Sequence, residues 1–323
     1  MRFVVYGAGG IGGVIGARLH QAGHEVVLIA RGAHFEAIRD RGLRFQSPDE
    51  DVALRIPIAD HPGRVAWHDD DVVVLAMKSQ DTQAALRALA AAAPSSISVA
   101  CAQNGVANER AALRYFPNVY GICVMCPTNF LTPGAVQAYS APTTGILDTG
   151  RYPSGVDETA ERIAAALSAS TFVAEARPDI MRWKHTKLLM NLANSVQALC
   201  GNDARAGDLV RVIRREGEDV LRAAGVGFAS REEDRDRRGD LLSMRPVGDG
   251  SRGGGSTWQS LMRGAGTVET DYLNGEIVLL GRLHGVPTPA NELMQRLMRE
   301  AVRDGLKPGA MTPDEILGRI ALR

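Results

Sequence analysis

The sequence predicts an α/β protein, with an N-terminal Rossmann-type doubly wound sheet followed by an all-α C-terminal domain. Apolar runs that read as strands alternate with helical segments through the first half of the chain. A glycine-rich turn sits directly after the first of them, and strand-like runs disappear after Pro178. Strands that are apolar on both faces and spaced by helices make a parallel sheet covered on each side.

The first strand is Met1-Arg2-Phe3-Val4-Val5-Tyr6, and it ends at Gly7. It is too short for a secretory h-region or a membrane span. A helical pattern from Gly12 to His20 and the strand Glu25 to Ala30 complete a βαβ unit. Strands at Asp71 to Met77, Ser98 to Ala102 and Asn118 to Val124 then alternate with helices at Thr82 to Ala93 and Val106 to Phe116. Short β pieces at Ala135 to Tyr139 and Thr144 to Leu147, a helix near Asp157 to Ser168 and a strand at Thr171 to Ala174 close the sheet.

Beyond them Asp179 to Leu199, Asp208 to Ala224, Thr267 to His284 and Ala290 to Arg303 read as helices. The division expected is 1–175 for the nucleotide-binding domain and 176–323 for the helical domain that carries substrate and catalysis. The mixed charges of Arg231 to Arg238 read as a solvated helix face, and the glycines from 248 to 255 as a mobile loop.

A length of 323 residues suits two domains, and 45% hydrophobic with 23% charged residues is ordinary for a water-soluble chain. Lys+Arg and Asp+Glu both number 37, so no bulk charge gathers nucleic acid or an anionic membrane surface. The four cysteines, Cys101, Cys123, Cys126 and Cys200, are too few and scattered for a disulfide scaffold, which fits a reducing, cytoplasmic setting. Cys123 and Cys126 have redox-motif spacing but lie in a strand, and they read as buried structural thiols. No His, Cys or carboxylate spacing suggests a metal site.

The turn Gly7-Ala8-Gly9-Gly10-Ile11-Gly12 ends a strand and opens a helix, the context in which G-x-G-x-x-G holds a dinucleotide pyrophosphate. Sites for NAD carry an acidic residue at the end of the second strand, whereas Arg31 stands here. A guanidinium binds a 2′-phosphate that a carboxylate would repel, so NADPH is the expected cofactor. Lys78 and Asn104 follow the next two strands at their carboxyl ends, where doubly wound sheets bind ligands.

A bound nicotinamide needs a proton donor beside it. Lys187, Asn191 and Asn194 form a polar stripe on an otherwise apolar helix, since residues three and four apart share a face. Lys184 lies one turn earlier and is a neighbouring candidate for the same role.

These residues, with Gln103-Asn104-Gly105, Ser256-x-x-Gln259, Glu269-Thr270-Asp271-Tyr272-Leu273-Asn274-Gly275 and His284 to Pro289, resemble the ketopantoate reductase (2-dehydropantoate 2-reductase) family over essentially the full length. The resemblance implies reduction of a 2-keto acid to the 2-hydroxy acid. It assigns Lys187 as general acid, Glu269 as the carboxylate that meets the cofactor ribose and holds the lysine, and Asn191 and Ser256 as substrate ligands. It also implies that a homodimer can form. Four departures fall on the substrate side. Ser195, beside Asn194, replaces a second asparagine, Gly253 another, and Ser260 an aspartate, while one residue is inserted before Glu269. Asn194 and Ser195 stay substrate-binding candidates. A dehydrogenase for a different 2-oxo or 2-hydroxy acid, and a non-catalytic NADPH sensor or interaction protein, are the alternatives.

Overall fold

The computed structural model describes residues 1–201, 206–248, 253–264 and 266–321. The chain begins with β1 (Arg2–Tyr6), α1 (Gly10–Gln21), β2 (Val26–Ile29), α2 (Gly32–Arg41), β3 (Leu43–Ser47), β4 (Glu50–Leu54) and β5 (Ile58–Ala59). It continues through β6 (Asp71–Leu75), α3 (Thr82–Ala90), β7 (Ser98–Cys101), α4 (Asn108–Ala112), β8 (Asn118–Met125), β9 (Thr128–Asn129), β10 (Ala135–Ala138), β11 (Gly145–Arg151), α5 (Glu158–Ser168) and β12 (Phe172–Val173). Helices follow: α6 (Ile180–Asn191), α7 (Ala193–Cys200), α8 (Gly207–Ala223), α9 (Arg231–Arg238), α10 (Ser256–Met262), α11 (Asn274–His284), α12 (Pro289–Arg303) and α13 (Pro313–Ala321).

The main sheet runs β12-β11-β8-β7-β6-β1-β2-β5, and its only antiparallel neighbours among the described strands are β8 and β11. Successive residues of β1 point to opposite faces, as a pleat requires. Phe3 and Val5 pack into one core with Val14, Ile15 and Leu28, whereas Val4 packs into the other with Val73, Leu86 and Leu89. Both faces are buried, which is why these strands read as unbroken apolar runs.

A second sheet, β4-β3-β10-β9, was not expected from sequence. It lies over α1: a Cβ added to Gly13 would come within 2.8 Å of Val136 in β10. Helix α1 is thereby covered on nearly every side, from Gly12 through Leu19. Its buried Arg18 is satisfied by Glu50 of β4 and by the Thr144 hydroxyl at 3.0 Å.

Packing divides the chain into two compact units, Met1–Lys184 with Arg231–Arg252, and His185–Ser230 with Gly253–Arg323. The division falls within α6, later in sequence than the expected 175/176, and the segment 231–252 belongs to the first unit. Contacts made by the returning segment account for the second difference. Arg237 of α9 pairs with the buried Asp148 of β11, donating through Nε at 2.8 Å, and Met244 bridges to Ser140. The charge run therefore contributes one cation, its side chain 9% exposed, to the first unit, and only part of the run is solvated. Part of the expected glycine-rich loop, 249–252, lies outside the described residues.

In the second unit α8, α11 and α12 pack on one another, α7 packs against α10 and α12, and α13 packs against α8 and α12. A helix expected over Asp179 to Leu199 is interrupted at Leu192. The expected helix from Thr267 opens instead as a short 3-10 turn, Glu269–Tyr272, before α11. No helix among the described residues is long and apolar enough to cross a membrane.

Candidate active site

The glycine turn joins β1 to α1. Gly7 has φ +98°, and a Cβ there would lie 2.6 Å from the Met77 amide; a Cβ on Gly12 would lie 2.2 Å from the Gly7 carbonyl oxygen. Both positions therefore exclude any side chain. Gly9 is different, because a Cβ there would make only ordinary contact with Phe130 at 3.7 Å. Gly9 caps α1 without a side-chain hydrogen bond, and the first turn carries no acidic residue. Gly9, Gly10 and Ile11 thus present a helix N-terminus whose N–H groups and positive dipole end suit a pyrophosphate, while the Ala8 N–H donates to the Ile29 carbonyl. The cradle fits a dinucleotide on those grounds.

Sequence reasoning missed what holds the turn. The His34 Nδ1 accepts from the Gly134 N–H at 2.8 Å, so Nε2 carries the proton and donates to the Ala8 carbonyl at 2.7 Å. The ring is buried against Phe130, and burial pushes its pKa below the ordinary histidine value. Neutral His34 thereby ties the nucleotide turn to the loop before β10.

Arg31 caps α2 just beyond β2, with its side chain 82% exposed and 3.1 Å from Asp81. Lys78 precedes a 3-10 turn, Ser79–Asp81, and Asn104 precedes Gly105, whose φ of +81° only glycine adopts readily. A buried network locks these two loops together. Gln103 donates to the Met77 carbonyl at 2.9 Å and to the Thr82 hydroxyl at 2.7 Å, and that hydroxyl donates to Asn108 Oδ1 at 2.8 Å. Asn108 in turn donates to Ser79 Oγ at 3.1 Å and to the Asn104 carbonyl at 3.2 Å. Scattered Thr, Asn and Gln side chains carry no motif, so this network had no sequence signal.

The two lysines of α6 have separate environments. Lys184 is buried, 2.6 Å from the Glu109 carboxylate, and it donates to the carbonyls of Cys101, Gln103 and Ile122 at 3.2, 2.8 and 3.2 Å. Its ammonium is fully engaged at the carboxyl end of β7 and beside the middle of β8. Lys187, one helical turn later, is half-buried, and Asn191 one turn beyond it is buried.

Within the second unit, the N-terminus of α10 lies against α7. Gly255 donates to Gln197 Oε1 at 2.8 Å, and a Cβ on Gly255 would lie 3.5 Å from Asn194 Oδ1. The half-buried Asn194 and Ser256 are thus brought to one place, with Gln197 as a further member that sequence reasoning missed. Ser195 points elsewhere: its buried hydroxyl donates to the Leu192 carbonyl at 3.0 Å, sealing the break between α6 and α7. Glu269 opens its 3-10 turn with a buried side chain. Lys187, Asn191 and Glu269 all have interaction partners in the fold.

Residues 3–150 match the family described as ketopantoate reductase PanE/ApbA, and residues 179–302 match its C-terminal domain. The chain belongs to the ketopantoate reductase family. A 2-dehydropantoate 2-reductase of Halobacterium salinarum is 31% identical, covering 94% of this chain and 100% of its own. One of Archaeoglobus fulgidus is 28% identical, covering 94% and 99%. Among solved structures, a PanE/ApbA family ketopantoate reductase of Ralstonia eutropha is 28% identical with a TM-score of 0.78, covering 94% and 99%. A D-mandelate dehydrogenase solved with NADH and anilino(oxo)acetate has a TM-score of 0.81 over 94% and 99%; at 23% identity that likeness is one of fold.

Several residues of the motifs read from the sequence have structural roles. Asn274 donates to the Leu192 carbonyl at 3.4 Å and to Asn291 Oδ1 at 3.0 Å, and Asn291 donates to Glu216 at 2.8 Å. Glu216 also accepts from the first amides of α12, those of Ala290 and Asn291, at 2.8 and 2.9 Å. Gly285, at φ +68°, ends α11, and Pro289 opens α12 where its missing N–H costs nothing.

Two of the positions expected to differ from the family have distinct local surroundings. A Cβ on Gly253 or Gly254 would lie 2.7 or 2.5 Å from the Trp258 indole, so the ring occupies the space of an asparagine at 253. Ser260 turns back to the Ser256 carbonyl at 2.8 Å. Cys123 and Cys126 donate their thiols to the carbonyls of Trp183 and Thr144 at 3.5 and 3.4 Å, as suits structural cysteines.

Proposed function

We propose that this chain reduces a 2-keto acid, 2-dehydropantoate or a close analogue, to the 2-hydroxy acid with NADPH, and that Lys187 is the general acid. The observation that carries the assignment is the partition of the lysines on α6. Lys184 is buried and held by Glu109 and three carbonyls, whereas Lys187 is half-buried with Asn191 on the same helix face one turn away.

A bound nicotinamide supplies the hydride. The Lys187 ammonium stabilises the negative charge that develops on the keto oxygen and then donates a proton to it. A cation aimed at an oxygen gaining charge favours the transition state over the ground state. Glu269, buried at the start of its turn, holds the lysine and meets the cofactor ribose. Asn191, Asn194 and Ser256 bind the substrate, while Ser195 serves the helix break. On the nucleotide side the Gly7 to Gly12 turn takes the pyrophosphate, Arg31 the 2′-phosphate, and Lys78 and Asn104 line the same crevice. The first unit thus binds the nucleotide and the second the keto acid.

A second reading, reduction of a different 2-oxo acid, is favoured by one observation. The Trp258 indole stands over Gly253 and Gly254, where the family pattern places an amide, and an apolar ring favours a less polar substrate substituent.

NADPH oxidation followed across a panel of 2-keto acids, including 2-dehydropantoate and phenyl-substituted analogues, tests both readings. Preference for 2-dehydropantoate supports the first and preference for an aromatic 2-keto acid the second. No turnover of any member, with NADPH still bound, removes the catalytic reading in favour of a nucleotide sensor.

A further inference from the structure

Arg31 does not stand alone at the nucleotide end of the sheet. It follows β2, and Asp81 reaches it from the 3-10 turn after β6, with the guanidinium 3.1 Å from the carboxylate. Strand β1 lies between those two strands and ends at Tyr6. Burial chiefly raises the Tyr6 phenol pKa, and the charges of Arg31 and Asp81 act on it in opposite directions. One cation and one anion therefore converge beyond the end of β1.

That placement bears on the nucleotide. Dinucleotide sites that take an unphosphorylated ribose present a carboxylate at the end of the second strand, where it accepts from the 2′-hydroxyl. Here the residue after β2 is a cation, yet a carboxylate is returned to the same place from the neighbouring loop. An exposed ion pair of this kind is weak, so Arg31 can leave Asp81 for a phosphate. The carboxylate stays behind, beside a ligand carrying two negative charges.

Resting on the reading of Arg31 as the 2′-phosphate ligand, we infer that Asp81 is a cofactor-selectivity residue. It penalises the 2′-phosphate of NADPH and offers an acceptor to the 2′-hydroxyl of NADH, so that the chain binds both nucleotides with only a modest preference for NADPH.

Direct binding of NADPH and NADH by calorimetry, without substrate, tests this on the wild type, Asp81→Asn and Arg31→Ala. Asn keeps the size and the carbonyl acceptor facing Arg31 and removes only the charge. At a position 39% exposed that makes no side-chain cap to α3, the fold should tolerate it, and a melting curve checks that it does. Asp81→Asn should tighten NADPH about three- to tenfold, the size expected of one unit charge removed beside a dianion at a salt-screened surface. NADH should bind no tighter than before, and the NADPH gain should shrink as salt is raised. Unchanged or weaker NADPH binding in Asp81→Asn, with Arg31→Ala still weakening NADPH, overturns the inference and leaves the Arg31 reading intact. If Arg31→Ala leaves NADPH affinity unchanged, the Arg31 reading fails and this inference fails with it.

Discussion

The Lys184 ammonium lies 2.6 Å from the Glu109 carboxylate, with side-chain exposures of 3% and 0%. Glu109 belongs to α4 and Lys184 to α6, so the pair pins the start of α6 against the parallel sheet.

Removing one partner of such a pair leaves a buried charge without compensation. Lys184→Met should therefore destabilise the protein by about 3–5 kcal/mol. The double variant Lys184→Met with Glu109→Leu should recover most of that loss, because the penalty is the orphaned carboxylate. Chemical denaturation of the two variants checks this. A double variant as unstable as the single one would mean that the lysine contributes mainly through its three carbonyl contacts.

Asn108 is the hub between the Lys78 and Asn104 loops. Asn108→Ala leaves the Thr82 hydroxyl and the Asn104 carbonyl short of partners, which costs about 1–3 kcal/mol. With both loops loosened, NADPH affinity should fall by about tenfold, in line with the sensitivity of bound ligands to misplacement. Calorimetric titration of the folded variant measures it. Lost stability with unchanged affinity would make the network purely structural.

His34 gives the nucleotide turn a dependence on pH. Its pKa in the fold lies below the ordinary value, because burial disfavours the imidazolium. The unfolded chain therefore takes up the proton first, so the stability this residue provides is present above about pH 6.5 and is lost as pH falls below it. Protonation also abolishes the acceptor for the Gly134 N–H. NADPH affinity should fall at lower pH than the stability loss begins, where His34 of the folded protein itself takes up a proton, and His34→Gln, which keeps a donor and an acceptor but does not titrate, should flatten the profile. Parallel pH profiles for the two proteins would exclude His34 as the cause.

Much of this was legible in the chain because its signals are local. The β1 run, the glycine turn and the Arg31 position each lie within a short window, and their strand and helix periods follow directly from it. Arg237 and Asp148 show the limit. They are buried together although one sits in a run that reads as a solvated face, and only the returning path of 231–252 joins them. The small sheet over α1 was missed for a related reason, since β3 and β10 pair across a long stretch of sequence. Asp81, His34 and Asn108 have no motif of their own. Ser195 was placed with the substrate residues by its neighbours, whereas its hydroxyl faces the Leu192 carbonyl.

Whether Lys187 supplies the proton is decided by kcat for 2-keto acid reduction by Lys187→Ala, alongside its NADPH Kd and melting temperature. Loss of a positioned general acid should lower kcat by about 10²- to 10⁴-fold, with the NADPH Kd and the fold largely unchanged. A Lys187→Ala protein that turns over within a few-fold of the wild type would contradict the account and place the acid elsewhere.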